Sequence, residues 1–113
     1  MSKDRRRSIK TAQVNMRSLN FELDQATDTI SGFDRFQIAS VTDLGAGQHT
    51  IIFSRPFERD CMLAGFSSKD ADVTVQVLAV AFDRITIQSF VAGVAADADI
   101  ALQVLGSDHR FDY

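Results

Sequence analysis

The run DVTVQVLAVAFDRITIQSFV, from Asp72 to Val91, leaves a chain little conformational choice. Val73, Val75 and Val77 alternate with Thr74 and Gln76, and Ile85 and Ile87 alternate with Thr86 and Gln88. A period of two is the mark of a strand, and β-branched side chains reinforce it. Only Phe82, Asp83 and Arg84 separate the two runs, so they predict a hairpin. The first run changes character half-way. Beyond Val77, both Ala79 and Ala81 on one face and Leu78, Val80 and Phe82 on the other are apolar. A strand end that is apolar on both faces needs cover. Leu78, Val80 and Phe82 are therefore a candidate subunit face, with an ordinary second layer of the same domain as the alternative.

The remaining segments read the same way. Leu19, Phe21 and Leu23 alternate, out of phase with Val14 and Met16, which predicts a strand with a bulge or bend before Leu19, with a short helix as the alternative. DQATDTISG is a polar loop. FDRFQIASV predicts a half-buried strand with Phe36 and Ile38 on its inner face. DLGAGQ is a turn, and HTIIFS and DCMLAGF are strands joined by RPFER. Pro56 lacks an amide donor, which makes RPFER a connection or an edge. AGVAADAD is a small-residue loop, and IALQVLG closes with Ile100, Leu102 and Val104 in phase. Six or seven strands with no convincing helix predict an all-β fold, a small antiparallel β-sandwich or barrel.

Charge divides the chain. Lys3, Arg5, Arg6, Arg7 and Lys10 face a single acid, Asp4, so the first ten residues carry +4 within a chain of net −3. The other 103 residues carry −7. Such an asymmetry predicts a basic arm that docks on an acidic surface. The expected organisation is an extended N-terminal arm over residues 1–23 and a sandwich domain over residues 24–113. Nucleic acid is not the expected partner, because no aromatic residue interleaves with the arginines and the body is acidic. No stretch is long and apolar enough for a membrane-spanning helix, and the charged start leads into no apolar signal core, so no membrane partner is expected.

Catalytic constellations are missing. Cys61 is the single cysteine, inside the apolar run CMLAGF, and reads as a buried, unreactive thiol. His49 and His109 have no metal-ligand spacing. Asp70 with Asp72 and Asp97 with Asp99 are paired in loops, where aspartates form turns, and neither loop has the pattern of a calcium hand. There is no nucleophile elbow, P-loop or dinucleotide fingerprint. The expectation is a protein with no catalytic residues, metal or cofactor.

The order of segments adds a resemblance. G-x-H-T-I-x-F-S-R-P-F from Gly47, then V-x-V-x-V, a hairpin into I-T-I-Q-S-F and a final I-A-L-Q-V-L-G resemble the H-type lectin-like domains. These occur as invertebrate agglutinins and at the ends of some bacteriophage fibre proteins. The match spans roughly residues 47–106. It implies a six-stranded antiparallel sandwich that assembles as trimers or hexamers. The tryptophan usual in the family's last strand is absent, as is any other. The resulting expectation is a non-enzymatic structural protein of a tailed-phage virion, made in the host cytoplasm. It would be a capsid decoration (cement) protein or a tail accessory, a trimer or higher homo-oligomer contacting the major capsid or tail protein. The alternative is a carbohydrate-binding, receptor-binding module, with His49, Asp108, His109 and Arg110 as sugar contacts.

Overall fold

The computed structural model describes residues 16–108. These residues form nine strands in two antiparallel sheets that enclose one core. In chain order the strands are β1 (Met16–Asp24), β2 (Thr29–Ser31), β3 (Ile38–Gly45), β4 (Gln48–Phe53), β5 (Met62–Ser68), β6 (Val73–Val80), β7 (Arg84–Val91), β8 (Val94–Ala95) and β9 (Asp99–Ser107). The first sheet runs β2-β1-β9-β5, and the second β3-β4-β7-β6, with β8 paired to β7. The fold is thus the all-β, antiparallel sandwich that the alternation predicts. Seven strands of six or more residues are joined by two short ones.

Inner rows follow directly from the sequence. Leu19, Phe21 and Leu23 of β1 lie opposite Val104, Leu102 and Ile100 of β9, and all six are buried. Ile51 of β4 lies opposite Ile85 of β7, and both are fully buried. Burying one such aliphatic side chain contributes about 1.5–3 kcal/mol. Phe57 closes one end of this core, edge-on to Phe53 at 5.4 Å between ring centres. Gly106 leaves room for that ring, since a Cβ there would collide with it. The hairpin expected from β6 to β7 is present, while two segments expected to be loops contain short hairpin strands, DQATDTISG holding β2 and AGVAADAD holding β8. β7 turns into β8 through Ala92 (φ 52°) and Gly93 (φ 80°), the left-handed pair of a type I′ turn.

Four further expectations need correction. Residues 16–23 are not part of an arm: they form a strand between β2 and β9, and contribute three core side chains. Within β1 there is no bulge, for all nine residues pair with β9 in unbroken register. The phase change arises because Arg17, not Met16, occupies the inner row. Phe36 is not on an inner face either. It sits in a single 3-10 turn, Arg35–Gln37, with its side chain 79% exposed. Asp34 bends the chain there, accepting the Asn20 amide at 2.7 Å and the Gln37 side-chain amide at 3.3 Å. Finally, β6 does not alternate to its end. A register shift between Val77 and Ala79 makes Leu78 an extra residue, and Val80 returns to the inner row opposite Ile85. Leu78, Val80 and Phe82 therefore do not form one strand face. No second layer among the described residues covers them, and they are 46%, 39% and 50% exposed.

The two poles of the sandwich differ in charge. Among residues 16–108 there are six cations and thirteen carboxylates, a net −7. One pole holds the start of β1 and the ends of β6 and β9. Arg17, Arg35, Arg55, Arg59 and Arg84 there balance five acids. The opposite pole has Lys69 against eight acids: Glu22 and all seven remaining aspartates. The whole excess negative charge sits at that pole.

Candidate functional site

The first cluster surrounds His49, which β4 places in the inner row with Ile51 and Phe53. It is fully buried, as is Ser89 in the inner row of β7. Gln25, 1% exposed in the turn after β1, joins them. Its Oε1 accepts the Ala98 amide at 2.7 Å and the Ser89 hydroxyl at 2.6 Å. A backbone amide can only donate, so this contact fixes which way the Gln25 amide points. Its Nε2 then donates to Gly47 O at 3.0 Å and to His49 Nδ1 at 3.2 Å. Nδ1 is an acceptor, the proton lies on Nε2, and Nε2 donates to Asp28 Oδ1 at 2.7 Å. One glutamine therefore ties together β1, β4, β7 and the approach to β9, and sets the histidine tautomer. Gly47 (φ 71°) is required for the close approach, because a Cβ would lie 2.6 Å from Ser89 O.

Asp28, Asp43 and His49 bring three ligand-type atoms within 4.8 Å of one another. A cation would need the lone pair of Nε2, and the network directs the proton to that atom. Turning the Gln25 amide over to release it would set donor against donor at Ala98 and acceptor against acceptor at Gly47. The donor set does not fit a metal. Nor is His49 a sugar contact, since no part of its side chain reaches the surface. The paired aspartates were expected to form local turns, but two of them tie distant loops together: Asp97 accepts the Gly47 amide at 2.7 Å, and Asp70 accepts the Asp99 amide at 3.2 Å.

At the balanced pole, Arg17 lies over the Phe57 ring at 4.3 Å and donates to Arg55 O at 2.6 Å. Its side chain is 9% exposed, and burial, then the nearby Arg55 charge, lower its pKa. Asp108 pairs with Arg55 at 2.6 Å and lies 3.9 Å from Arg17. That engages the Asp108 carboxylate in holding the end of β9. His109, Arg110 and the arm residues Lys3, Arg5, Arg6, Arg7 and Lys10 lie outside the described residues. Cys61 is buried, its thiol donating to Arg84 O at 3.7 Å, and burial pushes its pKa up to about 11. So protonated a thiol is a poor nucleophile.

Two surfaces are chemically distinctive. One is a groove of about 510 Å³ on the outer face of the first sheet. Small residues, Gly65, Ala101 and Ser67, form its floor, with Asn20, Glu22 and Gln103 beside them. Phe33, 88% exposed, stands at its margin. The loop that carries Phe33 and Phe36 is pinned, since Asp34 N donates to Asn20 O at 2.9 Å and Ser54 N to Gln37 O at 2.8 Å. Sequence reading missed this display of two aromatics.

The other surface is the side of the sandwich where β5 and β6 are both edge strands. The opposite side, between β2 and β3, is guarded: β2 has three residues, and β3 has two register shifts and carries Asp43. Short, irregular or charged strands of that kind keep an edge from recruiting other chains. Each strand of the β5–β6 side has one register shift, but MLAGFSS and VTVQVLAV contain no charge at all. Phe66 and Val77 lie opposite the buried Leu102 and Ile87, yet are about two-fifths exposed. Inner-row side chains show at this side because the two sheets do not close over them.

Compared with known proteins, the chain matches no family model, no curated protein and no solved structure.

Proposed function

We propose that this chain is a non-enzymatic structural protein that works by being built into an assembly, as a capsid decoration or tail accessory of a bacteriophage particle. The observation that carries the reading is the open β5–β6 side: two adjacent, uncharged strand edges with exposed inner-row side chains. Left bare, such a surface is an aggregation site; covered by a neighbour, it is an interface. The buried, protonated thiol and the histidine whose two nitrogens are both engaged support a role without catalysis. The particle is inferred from the resemblance to fibre-end domains and from the basic segment on a small β-body.

Charge placed on the open side tests the assembly. Gln76→Lys with Leu78→Lys sits on exposed positions, so the fold should change in stability by no more than about 1 kcal/mol. The native mass by light scattering should fall to that of a monomer. An unchanged oligomer would remove the open side from the account. The particle is tested by a mass-spectrometric inventory of purified virions from cells that make the chain. Its peptides should appear in amounts comparable to known shell or tail proteins, and their confinement to the soluble lysate would contradict the placement.

A second reading has one observation in its favour. Amide and carboxylate groups over a small-residue floor, beside an exposed aromatic ring, are the chemistry that holds a sugar ring. On that reading the contacts are Asn20, Glu22, Gln103 and Phe33. Glycan-array binding that Asn20→Ala and Gln103→Ala abolish would support it, and an empty array would end it.

A further inference from the structure

Resting on the assembly reading, we propose that the occupant of the β5–β6 side is residues 1–15 of a second copy of this chain. Uncharged residues 11–15 lie beside the strand edges at the balanced pole, and the basic block from Lys3 to Lys10 lies at the aspartate pole.

Three observations converge. The first is the pattern along the side. It begins at Met62 and Val80 on the balanced pole, runs over two uncharged strands, and ends at the β5–β6 connection, where Asp70 and Asp72 stand. The Asp72 carboxylate makes no hydrogen bond or ion pair among the described residues. Read backwards from Met16, the chain has the complementary order: the uncharged TAQVN, then Lys10, Arg7, Arg6, Arg5 and Lys3.

The second is length. At ~3.3 Å per extended residue, the side spans roughly 26 Å from Met62 to Asp70. On the same scale the basic block begins about 20 Å from Met16 and ends about 43 Å from it. It therefore brackets the acidic end for a segment that enters at the balanced pole, which is where β1 starts. An extended segment there runs antiparallel to β5 and extends the first sheet by one strand, the geometry of strand addition.

The third is the choice of a neighbour over the same molecule. To reach its own β5, the chain would have to reverse just before Met16 and cross the end of β9. The loop from Ser54 to Cys61 lies over that end, with Glu58 N donating to Ser107 O at 2.8 Å and Phe57 against Gly106. That loop stands in the way of such a reversal. A neighbouring copy receives the segment without one. Each copy then gives one segment and accepts one, by reciprocal exchange in a two-fold dimer or head to tail around a larger ring such as a trimer.

Disulfide trapping between separately made full chains decides it. Arg6→Cys and Asp72→Cys are introduced into different preparations, and the buried Cys61 thiol is left in place. Mixed under mild oxidation, they should give a covalent heterodimer on a non-reducing gel. Its yield should be at least tenfold above that of Arg6→Cys mixed with Thr42→Cys, a control on β3. Equal yields with both, or none, would overturn the placement. So would a disulfide found only within single molecules of the Arg6→Cys/Asp72→Cys double variant. The native mass of the Arg5→Glu/Arg6→Glu/Arg7→Glu full chain separates this from the reading beneath it. Loss of the oligomer supports the proposal, and its regain on adding Asp70→Arg/Asp72→Arg confirms the charge contact. An oligomer indifferent to the reversal leaves assembly standing and removes the arm from it. A monomeric wild-type chain removes both.

Discussion

Replacing Gln25 by alanine removes the polar staple at the centre of the sandwich. The side chain makes four hydrogen bonds, two through each terminal atom. Gly47 O keeps the Ser89 amide at 2.9 Å, and the Ser89 hydroxyl keeps Gly47 O at 3.3 Å. Two groups are left without a partner: the Ala98 amide and His49 Nδ1. An orphaned buried polar group costs ~1–3 kcal/mol, so the loss comes to about 2–6 kcal/mol. That is a large share of the 5–15 kcal/mol typical of a domain. Ser89→Ala, by contrast, leaves Gln25 Oε1 with the Ala98 amide and should cost about 1 kcal/mol. Equilibrium urea unfolding reads both. With a slope of about 1–3 kcal/mol/M, Gln25→Ala should lower the midpoint by roughly 0.7 M or more, at least twice the shift of about 0.3–1 M for Ser89→Ala. A Gln25→Ala midpoint within a few tenths molar of wild type would refute the argument, because then no buried donor or acceptor depends on that side chain.

Long-range nitrogen–proton NMR should find His49 protonated on Nε2 and bare on Nδ1; the opposite tautomer would mean the Gln25 amide points the other way. Cys61 should resist a thiol reagent at pH 8 until urea unfolds the chain. Because its folded pKa, about 11, exceeds the ordinary thiol value of 9.0, its share of stability is intact below pH 9 and lost as pH rises towards 11; a Cys61→Ala variant should show a flatter alkaline loss, and identical curves would contradict the burial. Gly106→Ala forces a methyl into the Phe57 ring and should cost about 1–3 kcal/mol by thermal unfolding, whereas a neutral effect would mean the ring is not seated there. Phe33→Ala with Phe36→Ala should leave stability within about 0.5 kcal/mol, since both rings face solvent; a larger loss would show them packed.

Much of the fold was legible because side-chain period alone separates inside from outside. The rows of β4, β7 and β9 fall where Ile51, Ile85, Ile87, Ile100 and Leu102 place them. So, in principle, did the staple: His49 is in phase with Ile51 and Phe53, and Ser89 with Ile85 and Ile87. Two polar residues in inner phase were the signal of a buried network, but their common partner, Gln25, sits in a turn with no period to mark it. The bulge in β6 was illegible, because LAVA is apolar in either phase. The exposure of Phe36 was hidden by Asp34, whose side chain replaces strand pairing with a turn. That residues 16–23 belong to the body rather than to an arm depends on pairing with β9, almost the whole chain away, and alternation carries no information about partners. The charge poles likewise depended on topology: aspartates scattered from 24 to 99 share a pole only because the strand ends that carry them do.

The account stands most directly on the mass of the native particle formed by the unmodified chain. Native mass spectrometry at micromolar concentration should give a small whole-number multiple of 12.5 kDa, three or more, that falls apart as ionic strength rises. A stable species of 12.5 kDa across that range would contradict it, since the uncharged side and the separated charges would then have no neighbour to meet.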